Sequence, residues 1–206
     1  MRWQVQVQVE SLGFRFGARP VFTDFSLALD PGITWLRGPN GKGKTTLLKL
    51  LAGALAPHTG AIRLSGHDCA RDALAYRLQA FFCGGDLPDL PWLTVQEFLD
   101  LHLALYPGTD AALVGQQMEA FGITDVLPQL LSTLSLGQHK KVQLSLALAL
   151  PVRLLLLDEP FNGLDAAAIG YLRAQLAARS EARDSIIVLT SHVDPQVPVA
   201  RTLDLA

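Results

Sequence analysis

Residues 38–45 read Gly38-Pro39-Asn40-Gly41-Lys42-Gly43-Lys44-Thr45 and fit the pattern G-x-x-x-x-G-K-[ST]. Context gives that pattern its meaning. Upstream, residues 33–36 form a short apolar run that reads as a strand. Downstream, residues 44–55 have helical composition, with Leu47, Leu48, Leu51 and Leu55 at helical spacing. A strand, a glycine-rich turn and a helix in that order predict a loop whose backbone N–H groups turn inward around phosphates. The positive end of the helix dipole lies beneath them. Lys44 is then placed to reach the outer phosphates, and the Thr45 hydroxyl to ligate Mg²⁺.

A second stretch, Leu154-Leu155-Leu156-Leu157-Asp158-Glu159, belongs to the same chemistry. An apolar strand ending in an acid puts a carboxylate at the C-terminal edge of a sheet, where ligands bind in open α/β folds. Asp158 is read as a metal holder acting through water, and Glu159 as the group that polarises an attacking water. Alone, such an acid is as readily a helix cap. Paired with the phosphate loop, it points to phosphoryl chemistry.

The whole chain supports one folded unit. It has 206 residues, half of them apolar, which is enough for a sizeable core. Seventeen Lys+Arg against nineteen Asp+Glu leave a net charge of −2. That balance argues against disorder and against a nucleic-acid binder driven by a basic surface. Cys69 and Cys83 are too few for a disulfide scaffold or a four-thiolate zinc site, and read as reduced structural thiols. The N-terminal residues 3–9 alternate like a strand rather than running apolar like a signal peptide. The longest apolar run, residues 144–157, is interrupted by Pro151 and Arg153 and is too short to span a bilayer. A soluble chain that reaches a membrane only through a partner is therefore expected.

Along the chain, the first part is β-rich. Strands are expected over residues 3–9, 21–29, 33–36, 61–64 and 79–83. Helices take over between about residues 94 and 150. Thr94-Val95-Gln96-Glu97 is a capping box opening one, residues 111–121 form another, and residues 135–150 form a third that Pro151 stops. A central parallel strand over residues 154–157, an amphipathic helix over 165–179 and a last buried strand over 185–189 complete the pattern. The expectation is an α/β fold: a P-loop NTPase core with a mostly parallel central sheet, an antiparallel β-subdomain and a helical lobe inserted at about residues 86–150 of a single 1–206 domain. His67-Asp68-Cys69 reads as a turn in the β-lobe. Arg15, Arg19, Arg173 and Arg179 read as scattered charges on solvated faces.

Leu134-Ser135-Leu136-Gly137-Gln138 opens the helix before the Asp158 strand, and Ser-x-x-Gln is itself a capping box. Its position adds more. The phosphate loop, Leu-Ser-x-Gly-Gln, Asp158-Glu159-Pro160, Gly163-Leu164-Asp165 and Ser191-His192 follow one another as in the ATP-binding cassette (ABC) ATPases, and the resemblance covers nearly the whole chain. It implies an ATP-binding and ATP-hydrolysing subunit that drives transport through a separate transmembrane permease, at the cytoplasmic face of the cell membrane. It also implies a head-to-tail dimer with a second copy or a different cassette chain. No nucleic-acid partner is implied. The short cassette resembles the ATPase of the haem exporter used in cytochrome c maturation.

The same resemblance assigns roles. The ATP-binding set is Phe16 on adenine, the loop residues Gly38, Pro39, Asn40, Gly41, Lys42, Gly43, Lys44, Thr45 and Thr46, and Ser135, Gly137, Gln138 and Asp165 offered to the opposing subunit. Glu159, His192 and Lys44 are the catalytic set, and Thr45 with Asp158 holds Mg²⁺. Leu136 stands where glycine is most common, and Lys42 where a small residue is usual. Gly84-Gly85-Asp86 stands where the family has a glutamine that touches the metal or its water and the membrane partner. Two alternatives stay open at this point: a non-transport cassette ATPase, and a small P-loop kinase.

Overall fold

The computed structural model describes residues 6–84 and 90–205. β1 (Val7–Phe16) and β2 (Arg19–Leu29) form an antiparallel hairpin across Gly17-Ala18. β3 (Gly32–Arg37) leads into the glycine-rich loop and α1 (Lys44–Leu51). β4 (Thr59–Leu64) returns to pair with β1, and β5 (His67–Asp68) closes a four-stranded antiparallel sheet in the order β2-β1-β4-β5. α2 (Ala73–Arg77) and β6 (Ala80–Cys83) follow. Then come α3 (Val95–Leu105), α4 (Ala111–Ala120) and α5 (Leu136–Ala149). β7 (Leu154–Leu157), α6 (Ala166–Ala182), β8 (Ile186–Thr190) and β9 (Val199–Asp204) complete the described chain. The second sheet has the order β6-β7-β8-β3-β9, with every neighbouring pair parallel.

Strand composition explains why this sheet lies at the centre. All four residues of β7 and all five of β8 are buried, as a parallel sheet covered on both faces requires. Alternation sends successive residues to opposite faces. Leu155, Leu157, Ile187 and Leu189 pack with Phe98, Val142, Leu146 and Leu172 from α3, α5 and α6. Leu154, Leu156, Ile186 and Val188 pack with α1 and with Val7, Val9 and Ile62 of the antiparallel sheet. The β-lobe and the helical segment between β6 and β7 thus cover opposite faces of one sheet, leaving its C-terminal edge open for the loops.

Both capping boxes form. Thr94 and Glu97 bond reciprocally at the head of α3, as do Ser135 and Gln138 at the head of α5. α1 stops short of the expected residue 55 because the chain turns at Gly53, φ 72, beneath Cys69. The strand expected over residues 185–189 forms as the last buried strand, β8, but one more strand follows: β9, hydrogen-bonded in parallel to β3. Its largely exposed Val-Ala-Arg-Thr-Leu-Asp run lacks a strand's apolar alternation, because an edge strand is held mainly through its backbone.

Arg179 corrects the reading of scattered surface charges. It is half-buried, and it donates from Nη1 to Ala147 O (3.0 Å), from Nη2 to Leu150 O (3.3 Å) and Val152 O (2.8 Å), and from Nε to Ser185 Oγ (3.3 Å). It therefore satisfies carbonyls left open where α5 ends. Burial lowers its pKa below the usual guanidinium value. Arg173 is likewise engaged, with Nε donating to Pro195 O at 3.0 Å and its guanidinium over the Phe161 ring. Arg179→Ala strands several buried carbonyls at once and is expected to cost about 3 kcal/mol. That corresponds to a melting temperature lower by roughly 6–12 °C in a chain of this size. A thermal midpoint unchanged by the substitution would contradict the capping role.

Candidate active site

The site lies at the C-terminal edge of the parallel sheet, where β3, β7 and β8 end. The loop after β3 needs its glycines for space as well as backbone freedom. At Gly38, φ 144, a Cβ would sit 2.5 Å from Leu205 O; at Gly43, φ 92, it would sit 2.7 Å from the Val21 side chain. Lys44 Nζ donates back to Gly38 O (2.7 Å) and Pro39 O (3.2 Å), closing the loop on itself.

Asp158, just past β7, ties three strands together. Its Oδ2 accepts from Thr45 Oγ1 at 2.6 Å and its Oδ1 from Thr190 Oγ1 at 2.6 Å, while its own N–H donates to Cys83 O at 2.8 Å. Thr190 also accepts the Glu159 N–H at 2.8 Å. Thr190 was not among the expected site residues. Its signal was a buried hydroxyl at the end of an otherwise apolar strand. Glu159 has φ 48, and its Oε1 is buried without a hydrogen-bond partner, 3.5 Å from His192 Nε2. Asn162 Nδ2 approaches Oε2 at a long 3.4 Å. The segment carrying His192 is held by Trp35 Nε1 donating to Ser191 O at 3.2 Å.

Lys44, Thr45, Asp158, Glu159 and His192 line a cleft of about 700 Å³. It brings together Phe16, Asn40, Gly41, Lys42, Gly43, Lys44, Thr45, Thr46, Asp158, Glu159 and His192. Phe16, at the end of β1, is 55% exposed and meets Phe14 edge-on at 4.9 Å, so its outer face is free to stack. Arg19, expected on a solvated face, also lines the cleft, beside Val21. Gly38 and Pro39 do not line it; their carbonyls accept from Lys44 Nζ.

Ser135, Gly137, Gln138 and Asp165 do not line this cleft. Ser135 Oγ accepts from Gln138 N at 3.2 Å, and Gln138 Oε1 accepts from Ser135 N at 2.9 Å. A Cβ on Gly137 would lie 2.9 Å from Gly163 O, so the head of α5 packs closely on the segment before α6. Asp165 caps α6 through Ala168 N (2.9 Å) and pairs with Lys141 Nζ (2.6 Å); the bond from Lys141 comes first among the causes that hold its carboxyl below the usual range. Leu136 between them is 76% exposed. Gly85 and Asp86 lie outside the described residues. His67-Asp68-Cys69 is a turn, with Asp68 Oδ1 accepting from Ala70 N and Arg71 N.

A strand, glycine-rich loop and helix, with an acidic pair ending the neighbouring strand, define a P-loop nucleoside triphosphatase. The model of the ABC transporter family matches residues 22–162, and the chain belongs to that family as an ATP-binding and ATP-hydrolysing subunit. It is 35% identical over 198 residues to the cytochrome c biogenesis ATP-binding export protein CcmA of Pseudomonas putida, covering 94% of this chain and 93% of that one. It is 36% identical over 185 residues to the zinc import ATP-binding protein ZnuC 2 of Hahella chejuensis, covering 88% and 70%. A solved ATP-binding subunit of an ABC transporter superposes with a TM-score of 0.77 at 28% identity, covering 90% of this chain and 79% of that one. Family membership sets aside the small kinase. Among the described residues, no helix is long and apolar enough to cross a membrane.

Proposed function

We propose that this chain hydrolyses ATP with Glu159 as general base, and that it powers a separate membrane permease from the cytoplasmic face of the membrane. The observation that carries the assignment is the buried, unpartnered Oε1 of Glu159 beside His192. An oxygen that accepts no internal hydrogen bond, with only the His192 ring near it at 3.5 Å, keeps its lone pairs for a water molecule. Thr45 Oγ1 and Asp158 Oδ2 offer hard oxygen donors, one a carboxylate, at the head of α1, and this fits Mg²⁺, which binds through one or two carboxylates together with substrate phosphates. The ion would supply charge neutralisation on the phosphates.

The chain's own groups divide the remaining work. Lys44 holds the outer phosphates, and the N–H groups of the loop surround them. Phe16 offers a stacking face to adenine. Glu159 takes the proton of the attacking water, and His192 steadies the terminal phosphate from the β8 side.

Ser135, Gly137, Gln138 and Asp165 are left to serve a second cassette, identical or different, arranged head to tail. Their place outside the cleft and the exposed Leu136 support that reading. The transport system is proposed to be an exporter of the cytochrome c biogenesis kind. Relatives of that name match over 81–94% of their own length, against 70% for the zinc import protein.

Mixing mutants tests the shared site in the homodimeric case. Lys44→Ala spoils a chain's own loop, and Ser135→Arg blocks the surface it offers to its partner. Each alone is expected to be inactive. In the mixed dimer both lesions fall in one site and the other site is intact, so part of the activity returns if one site fires alone. If one site cannot fire alone, ATP still drives mixed dimers. Activity strictly linear in protein concentration, with no ATP-dependent dimer in sedimentation, rejects the shared site.

A further inference from the structure

Glu159 stands in the left-handed region, where a side chain with a Cβ is strained and persists only if its surroundings hold it. Both of its backbone polar groups are held by side chains from other elements. The amide donates to Thr190 Oγ1 at 2.8 Å, and the carbonyl accepts Lys140 Nζ at 2.9 Å, in addition to a longer turn bond from Asn162 N at 3.3 Å. Lys140 is half-buried on α5, the helix capped by Ser135. It does not line the cleft. It lines a separate recess of about 250 Å³ beside Leu136, Asn162 and Gly163. Its neighbour Lys141 reaches Asp165. Two successive lysines of one helix therefore grip the two ends of the segment 159–165.

We propose that Lys140 is a positioning residue for hydrolysis: its ammonium clamps the Glu159 carbonyl and, with Thr190 on the amide, keeps Glu159 in the strained conformation from which its carboxylate faces His192. The inference rests on Glu159 being the base. A charged donor on a backbone carbonyl is stronger than a neutral one, which suits it to holding an unfavourable φ. It also ties α5 to the base, so a shift of that helix is felt at Glu159.

Lys140→Met removes the donor while keeping most of the side chain's shape. The expected result is a kcat lower on the order of 10- to 100-fold, the span of one hydrogen bond to a charged group. Nucleotide affinity, by titration with a fluorescent ATP analogue, should move less than about twofold, since Lys140 lies outside the cleft. Lys140→Arg, which can still donate to the carbonyl, should recover most of the turnover. Glu159→Gln and the double mutant are measured alongside. With the base already gone, loss of the clamp should add little. A Glu159→Gln chain turning over at the wild-type rate overturns the base assignment and the clamp with it. A slow Glu159→Gln beside a Lys140→Met with unchanged kcat overturns the clamp alone. So does a double mutant that loses the full product of the two single effects. If Lys140→Met fails to fold, Lys140→Gln takes its place under the same readings.

Discussion

Glu159→Gln is expected to keep ATP binding and lose hydrolysis by a factor on the order of 10²–10⁴, the share that general-base catalysis usually supplies. The change is nearly isosteric. It leaves the amide bond to Thr190 and the carbonyl bond from Lys140 intact, because both involve backbone atoms. It replaces a carboxylate whose Oε1 accepts no hydrogen bond, and whose Oε2 has only a long contact to Asn162, with an amide that cannot take a proton. The groups proposed to hold nucleotide lie elsewhere in the cleft: Phe16 at the end of β1, and Lys44 and Thr45 at the head of α1. Binding and chemistry should therefore separate in this variant. Nucleotide titration against steady-state phosphate release reads them independently. Turnover near wild type would remove Glu159 from the mechanism.

What the amino-acid pattern could and could not reveal follows from which forces leave a local trace. Residues 154–157 are a strand in the structure with the bounds expected, because four leucines ending in two acids have few other uses. Thr94 with Glu97, and Ser135 with Gln138, mark helix starts because both bonds of a capping box are made within four residues. β9 left no such trace: its partner β3 is remote in sequence, and the pairing needs only backbone groups.

Long-range polar contacts were hidden for a related reason. Arg179 and Lys140 occupy helix positions that look the same whether a charge faces water or a carbonyl some 20 or 30 residues away. Arg19 enters the cleft only because the β1–β2 hairpin folds over the phosphate loop, so no local pattern could distinguish it from a surface charge. Thr190 was missed because one hydroxyl at a strand end is common. Only the assembled sheet brings it to both Asp158 and Glu159. Most residues that line the cleft were legible as ordered motifs; the hydrogen bonds that position them were not.

Lys44→Ala is expected to abolish turnover and to weaken ATP binding on the order of 10- to 100-fold, the cost of losing charge-assisted hydrogen bonds to phosphate. The lysine has two functions that fail together. In the proposed mechanism its ammonium is the loop charge that the motif aims at the outer phosphates. It also donates to Gly38 O and Pro39 O, so it braces the ring of backbone that surrounds them. Lys42, although it lines the same cleft, makes neither of these two bonds and cannot stand in for Lys44 from two residues upstream. Lys44→Arg separates the two functions. It keeps the charge, but a planar guanidinium is too bulky for the space between two carbonyls of a tight loop, so the brace fails while electrostatic attraction remains. Affinity should fall less in the arginine variant than in the alanine variant, and turnover should stay low in both. Equilibrium titration with ATP and with ADP, set beside phosphate release, measures each effect. Unchanged ATP affinity in Lys44→Ala would show the loop to be a structural turn, and the nucleotide site would have to be sought elsewhere on the chain.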